Sequence, residues 1–138
     1  MDGNGPSVDN PPILGPAGRV HCTIQDWARF VTDQLRGERG EPALLKSATY
    51  HVLHTPNFGG DYACGWIVVK RDWGGGIVLN HVGDNTMNCA NVWIAPQRDF
   101  AVLICINQGG DTAFKASDEA VAALIKLHAA RSQATEQK

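Results

Sequence analysis

The chain has no apolar run of the length a bilayer demands. Its longest, Val102-Leu103-Ile104-Cys105-Ile106, falls far short of the roughly 20 residues a spanning helix needs. The opening segment Met1-Asp2-Gly3-Asn4-Gly5-Pro6 has neither a basic start nor an apolar stretch, so no secretory leader is expected there, and the compartment stays open. A basic block is also missing: 12 Lys+Arg are set against 14 Asp+Glu, for a net charge of −2, which excludes the footprint of a nucleic-acid binder. Cysteine is sparse and scattered. Cys22, Cys64, Cys89 and Cys105 form no Cys-x-x-Cys pair, and three of them lie in apolar strand-like segments where Cys behaves as a small hydrophobe. A disulfide framework is not expected, and the redox state of the four thiols stays open.

An activated nucleophile is the most consequential absence. The serines lie in Ser7-Val8-Asp9-Asn10, Ser47-Ala48-Thr49-Tyr50, Ser117-Asp118-Glu119-Ala120 and Ser132-Gln133-Ala134-Thr135. None occupies a Gly-x-Ser-x-Gly elbow and none has Lys three residues on, so no catalytic residue is assigned within this chain. Cys22 stands beside His21, but side chains adjacent in sequence seldom face each other. His51 and His54, three apart on an expected helix, lack a third ligand and any His-Glu-x-x-His frame, so no metal site is assigned and no cofactor is implied. Gly74-Gly75-Gly76 lies between two strand-like runs and fits a hairpin better than a phosphate cradle.

What is present reads as one α+β domain. A length of 138 residues suits a single core, and 43% hydrophobic with 19% charged residues is globular composition. Residues 1–18, rich in Gly, Pro and Asn, predict an irregular lead-in. Thr23 then caps an amphipathic pattern of Ile24, Trp27, Phe30, Val31 and Leu35, which predicts a helix over 24–36 with Gly37 as its stop. A shorter helix is expected over 47–54, with Ser47 as N-cap and Pro56 beyond its end. From Tyr62 the period becomes extended. Trp66–Lys70, Ile77–His81, Ala90–Ala95 and Phe100–Ile106 are four expected strands on short connections, hence an antiparallel meander. Asp111 opens a C-terminal amphipathic helix through Val121, Leu124 and Leu127 that packs on the sheet, and residues 131–138 read as a polar tail. The fourth strand is apolar enough to be buried on both faces, so further cover, or a partner on an edge, is expected.

The most informative stretch is Asn80-His81-Val82-Gly83-Asp84-Asn85-Thr86-Met87-Asn88. A strand there runs out into a glycine and a row of polar side chains. Gly83 would let a ligand approach the strand edge, N–H groups beyond it could polarise an oxyanion, and His81 could donate to a carbonyl or carboxylate. The same residues also suit a wide hairpin loop.

The order of segments carries a resemblance. Gly15-Pro16-Ala17-Gly18, the Thr23 cap, Asp26-Trp27-Ala28-Arg29-Phe30 and His54-Thr55-Pro56 come first. Tyr62 with Gly65-Trp66, His81-Val82-Gly83, Ile94-Ala95-Pro96, Phe100-Ala101-Val102 and Asn107-Gln108-Gly109 follow. Over roughly 15–128 this resembles the C-terminal part of the serine β-lactamase-like family: class C β-lactamases, D-alanyl-D-alanine carboxypeptidases and related esterases. The resemblance implies a partial β-lactamase/transpeptidase-like fold over 19–130. It also implies a parent hydrolase, of a kind often exported or periplasmic, that acts on a small acyl or peptide-like substrate.

The family's Ser-x-x-Lys and Tyr-x-Asn motifs lie upstream of the matched region and do not occur here. His81-Val82-Gly83 falls where the family has Lys-Thr-Gly or a His-x-Gly variant. By resemblance the N–H of Asp84 is one oxyanion donor, and Asn85 and Thr86 sit on the cleft rim. His81 in place of Lys removes a permanent cation and Val82 in place of Thr removes a hydroxyl, which favours an esterase or peptidase-like parent over a β-lactamase. The implied partner is the missing N-terminal part of the hydrolase or a second copy of the chain. The competing expectation is a non-catalytic binding module that uses an exposed face of the sheet.

Overall fold

The structure, a computed structural model, describes residues 10–85 and 87–136. Within the lead-in, Pro12–Leu14 form a 3-10 turn that runs into a one-turn helix, α1 (Gly15–Gly18). Helix α2 (Ile24–Glu38) begins at Thr23, whose hydroxyl accepts from the Asp26 N–H at 3.2 Å and donates to the Asp26 carboxylate at 2.7 Å. That exchange satisfies one of the amides every helix start leaves unpaired, which is why the chain turns helical there.

The end of α2 differs from the expectation at Gly37. The helix continues through Gly37 to Glu38, and the left-handed residue is Gly40, at φ +73°. The Glu41 N–H reaches the Arg36 carbonyl at 2.9 Å and the Gly40 N–H reaches the Gly37 carbonyl at 3.1 Å, the paired bonds of a Schellman ending. Gly37 serves another purpose: a Cβ there would overlap the ring of Tyr50. Tyr50 belongs to helix α3 (Ser47–Leu53), in which Lys46 holds the N-cap position and Ser47 is already helical, so Ser47 is not the cap. The Tyr50 side chain is fully buried; its hydroxyl donates to Asp33 at 2.5 Å and accepts from the Leu45 N–H at 3.2 Å. Asp33 also takes the Leu44 N–H at 2.8 Å, so one carboxylate and one phenol hold the connection between the helices.

The sheet has five strands in sequence order, all antiparallel: β1 (Tyr62–Ala63), β2 (Trp66–Arg71), β3 (Gly76–Asp84), β4 (Cys89–Ala95) and β5 (Phe100–Ile106). The additional strand, β1, is two residues long and joins β2 through a tight turn in which Cys64 (φ +47°) and Gly65 (φ +99°) are both left-handed. The β2–β3 and β4–β5 connections are 3-10 turns closed by left-handed Gly75 and Asp99.

Register divides the side chains between two faces. Trp66, Val68, Leu79, Val92, Ile94, Ala101 and Leu103 meet Val31 and Leu35 of α2 in the main core. On the opposite face lies helix α4 (Asp111–Glu136), packed over β4 and β5. It extends through residues whose composition reads as a polar tail. The β4–β5 part of the second face is therefore covered by the C-terminal helix, while β5 keeps an outer edge that no described strand pairs.

A polar cluster fixes α4. Asn80 donates to the Asn91 side-chain oxygen (3.2 Å) and to the Val92 carbonyl (2.9 Å). Asn91 donates to Ser117 (3.1 Å) and Asp118 (3.2 Å), and Ser117 donates to the Phe114 carbonyl (2.8 Å). Asn91 and Ser117 are fully buried, so removing either leaves a partner unsatisfied in the interior.

Gly37 within α2 and Gly40 just beyond its end should both resist replacement by alanine, for different reasons. Gly37→Ala should gain about 1 kcal/mol of propensity, yet it should destabilise the domain by a net 1–3 kcal/mol or about that, because the methyl displaces Tyr50. Gly40→Ala should cost about 1 kcal/mol through its left-handed backbone. Urea unfolding of both variants checks this, with near-ultraviolet circular dichroism of Tyr50 altered only in the first.

Candidate functional site

The end of β3 is exposed on one side by a difference in strand length. Pairing of β2 with β3 stops at Ile67 opposite Asn80, whereas β4 follows β3 to Cys89 opposite Asp84. From His81 to Asp84, β3 thus has a described strand on one edge only. The Asn85 N–H continues the ladder to the Asn88 carbonyl at 3.2 Å. Backbone direction alternates along an antiparallel strand, so His81, Gly83 and Asn85 address β4, while Val82 and Asp84 direct their N–H and C=O groups the other way.

The side chains of the predicted set are brought together along one strand end but split between faces. His81 and Gly83 share the face of α2; Val82 and Asp84 share the face of α4. The His81 ring is exposed, and its Nδ1 lies 2.5 Å from the Gly65 carbonyl. A carbonyl only accepts, so Nδ1 carries the proton. Nε2 is then the nitrogen available to a ligand, an acceptor in the neutral ring and a donor in the charged one. The tight β1–β2 turn, with its two left-handed residues, is what places that carbonyl.

Asp84 has a structural task besides its position. Its carboxylate accepts the Gly110 N–H at 2.7 Å, tying the strand end to the turn from which α4 starts, where the Phe114 N–H bonds the Gly110 carbonyl. Asn85 forms the turn itself: its side-chain oxygen accepts the N–H groups of Met87 (3.3 Å) and Asn88 (2.8 Å). Thr86 lies outside the described residues.

A Cβ at Gly83 would meet nothing within 4 Å, so none of the described residues requires a glycine there. The space beside it is a recess of about 290 Å³ lined by Gly83, Asp84, Asn85, Asn88 and Ala90, faced by Asn10, Leu14, Ala17 and Gly18 of the lead-in. Asn10 donates to the Gly18 carbonyl at 2.7 Å and folds that wall back on itself. These lead-in residues were not legible as site residues: a Gly- and Pro-rich composition signals irregularity, not where the segment docks. Asn88 and Ala90 also border a second recess, about 620 Å³, lined by Val20, Cys22, Trp27, Cys105 and Ile106.

His51 of α3 and His54 just past its end separate. His51 is exposed, whereas His54 is buried with Nδ1 2.7 Å from Glu38 and Nε2 3.0 Å from Gln34, and its ring stands edge-on to Trp66. Both ring nitrogens of His54 are thus engaged in joining α3 to α2. Among the described residues no cluster of three or more His, Cys, Asp or Glu is placed to hold a metal ion. The bond from His54 holds the Glu38 carboxyl below the ordinary carboxylate range, against the opposing effect of burial.

Comparison of the chain with protein-family models, with curated proteins and with solved structures gives no match.

The Glu38 carboxyl sets one pH dependence. Its folded pKa lies below its unfolded one, so its contribution is fully present above the unfolded value and is lost as pH falls through the folded value. Stability of the native chain should decline across that acid window, and Glu38→Gln should flatten this part of the profile while lowering stability near neutrality. Urea midpoints measured at a series of pH values decide it; parallel profiles for the two proteins would contradict the assignment.

Proposed function

We propose that the chain is the C-terminal portion of a serine hydrolase of the β-lactamase and penicillin-binding type. In this reading it supplies a substrate-binding strand and one oxyanion donor to a cleft whose nucleophile belongs to another part of the hydrolase. The observation that carries the reading is the overhang of β3, whose edge from His81 to Asp84 runs past the end of β2. His81-Val82-Gly83 occupies that overhang, and these are the residues that match the family's active-site strand.

Acyl transfer needs a donor aimed at the oxygen that gains charge and a group that positions the rest of the substrate. Asp84 directs its backbone N–H away from β4, on the side where a substrate carbonyl would lie along the strand. His81, with Nδ1 anchored on Gly65, would present Nε2 to a carbonyl or carboxylate. Gly83 leaves the approach open. Without the permanent cation of a lysine or the hydroxyl of a threonine, this wall suits an ester or peptide-like substrate better than a β-lactam. The serine, its activating lysine and the remaining oxyanion donor would come from the Ser-x-x-Lys and Tyr-x-Asn segments of the parent.

The second reading, a non-catalytic interaction module, draws on the part of the sheet that α4 leaves open. Ile67 is exposed there and Val69 and Val82 are half-buried. It requires a ligand whose binding does not depend on His81.

The isolated chain should hydrolyse neither a p-nitrophenyl ester nor a chromogenic β-lactam, and a fluorophosphonate probe should label none of its serines. A longer product of the same reading frame should contain Ser-x-x-Lys and Tyr-x-Asn upstream and take up the probe. In that product His81→Ala should lower kcat/KM by about tenfold or more, in line with loss of one polar contact at a reacting centre. Labelling of any serine in the isolated chain, or a frame without those motifs, would sink the proposal.

A further inference from the structure

The fold gathers three of the four scattered cysteines at one corner. Cys22 lies on the irregular approach to the Thr23 cap, and Cys105 lies near the end of β5, where it pairs with Ala90 and faces the α2 side. Both are exposed, and both line the recess of about 620 Å³ to which Trp27 and Ile106 also contribute. Cys89 borders the same recess from β4 but is itself buried. Cys64 lies in the β1–β2 turn, three strands removed from β5, hence roughly 14 Å or more away.

We propose that Cys22 and Cys105 are a redox pair that closes to a disulfide across this recess when the chain meets a small disulfide oxidant such as oxidised glutathione. The two thiols are exposed in the same cavity, and one lies on a segment without helix or strand. That segment can adjust to the roughly 4.4–6.8 Å between Cα atoms that a disulfide requires. The Cys105 thiol is pushed up, by partial burial first and then by the neighbouring sulfurs of Cys22 and Cys89.

The chemistry balances without any further reactant. The Cys22 thiolate attacks one sulfur of oxidised glutathione and releases one glutathione thiolate, leaving a mixed disulfide on Cys22. Cys105 then loses its proton and attacks the Cys22 sulfur, and the second glutathione leaves. Two protein thiols become one disulfide, two electrons pass to the oxidant, and two glutathione thiols take up the protons. Because the Cys105 thiol resists ionisation, the second step should quicken as pH rises.

The product fastens the segment entering α2 to the edge strand and shuts the recess. A cross-link between positions so far apart in sequence constrains the unfolded chain strongly, with a rise in Tm of roughly 10 °C expected for a domain of this size.

The native chain, equilibrated with oxidised glutathione, is digested and examined by mass spectrometry, alongside thiol titration and thermal unfolding. Expected are a Cys22–Cys105 linked peptide, two fewer titratable thiols, a Tm gain reversed by dithiothreitol, and closure that accelerates with pH. Cys22→Ser and Cys105→Ser should each leave a glutathione adduct on the remaining partner and abolish the gain. Separate adducts on Cys22 and Cys105 with no link, or a link that involves Cys64, would overturn the proposal. So would a link that forms only in urea.

Discussion

The pairing of β3 with β4 is the constraint on which the rest of the structure depends. It is the one ladder that runs from the main core, where Leu79 faces Ile94, to the candidate site, where Asp84 faces Cys89. A slip of one residue would exchange the faces of every side chain on β3. Leu79 would leave the cover of α2, and Asn80 would leave Asn91, on which α4 depends. His81 would move to the wrong side of the sheet. Burial of Val31 and Leu35 against Leu79, Val92 and Ile94 secures the register from one face, at roughly 1.5–3 kcal/mol for each fully buried side chain. The Asn80–Asn91–Ser117 bonds secure it from the other. The two faces use different physics, and that makes the register hard to shift: apolar packing tolerates small slides, while a buried amide pair does not.

Legibility followed the range of the interactions involved. The start of α2 is local chemistry, Thr23 with Asp26 and an apolar stripe from Ile24 to Leu35, and it read correctly. The end of α2 needed a contact with Tyr50 to distinguish Gly37 from Gly40, and nothing near either glycine carries that information. Ser47 looks like a cap by type, yet Lys46 takes the position because Asp33 and Tyr50 fix the preceding turn. Strand β1 is too short to show a period of two, so the sheet read as four strands. Cys105 sits in an apolar run and reads as core; only the position of β5 at the sheet edge leaves it exposed. The second face of the sheet was expected to need cover beyond the chain's own helices; over β4 and β5 the C-terminal helix supplies it instead, because a helix after the last strand can cross to either side.

The candidate site shows the same division. The strand end and its polar run were visible in Asn80 to Asn88, and the structure places them at the end of a ladder that outruns its neighbour. Asn85 is occupied in forming the turn. The wall contributed by Asn10, Leu14, Ala17 and Gly18 was invisible, because docking of an irregular segment depends on the whole fold.

Two hydrogen bonds anchor side chains at the strand end. His81 is held through Nδ1 by a turn that belongs to the opposite hairpin, so its ring orientation does not depend on a bound molecule. Asp84 is held through its carboxylate by Gly110, so the strand end and the first turn of α4 move as one piece. A polar wall held in advance does not have to be ordered when a ligand arrives, and the entropy of ordering it does not reduce affinity. Pairing with β4 carries β3 on in extended geometry after β2 has ended, and the two anchors fix the side chains of His81 and Asp84 along it.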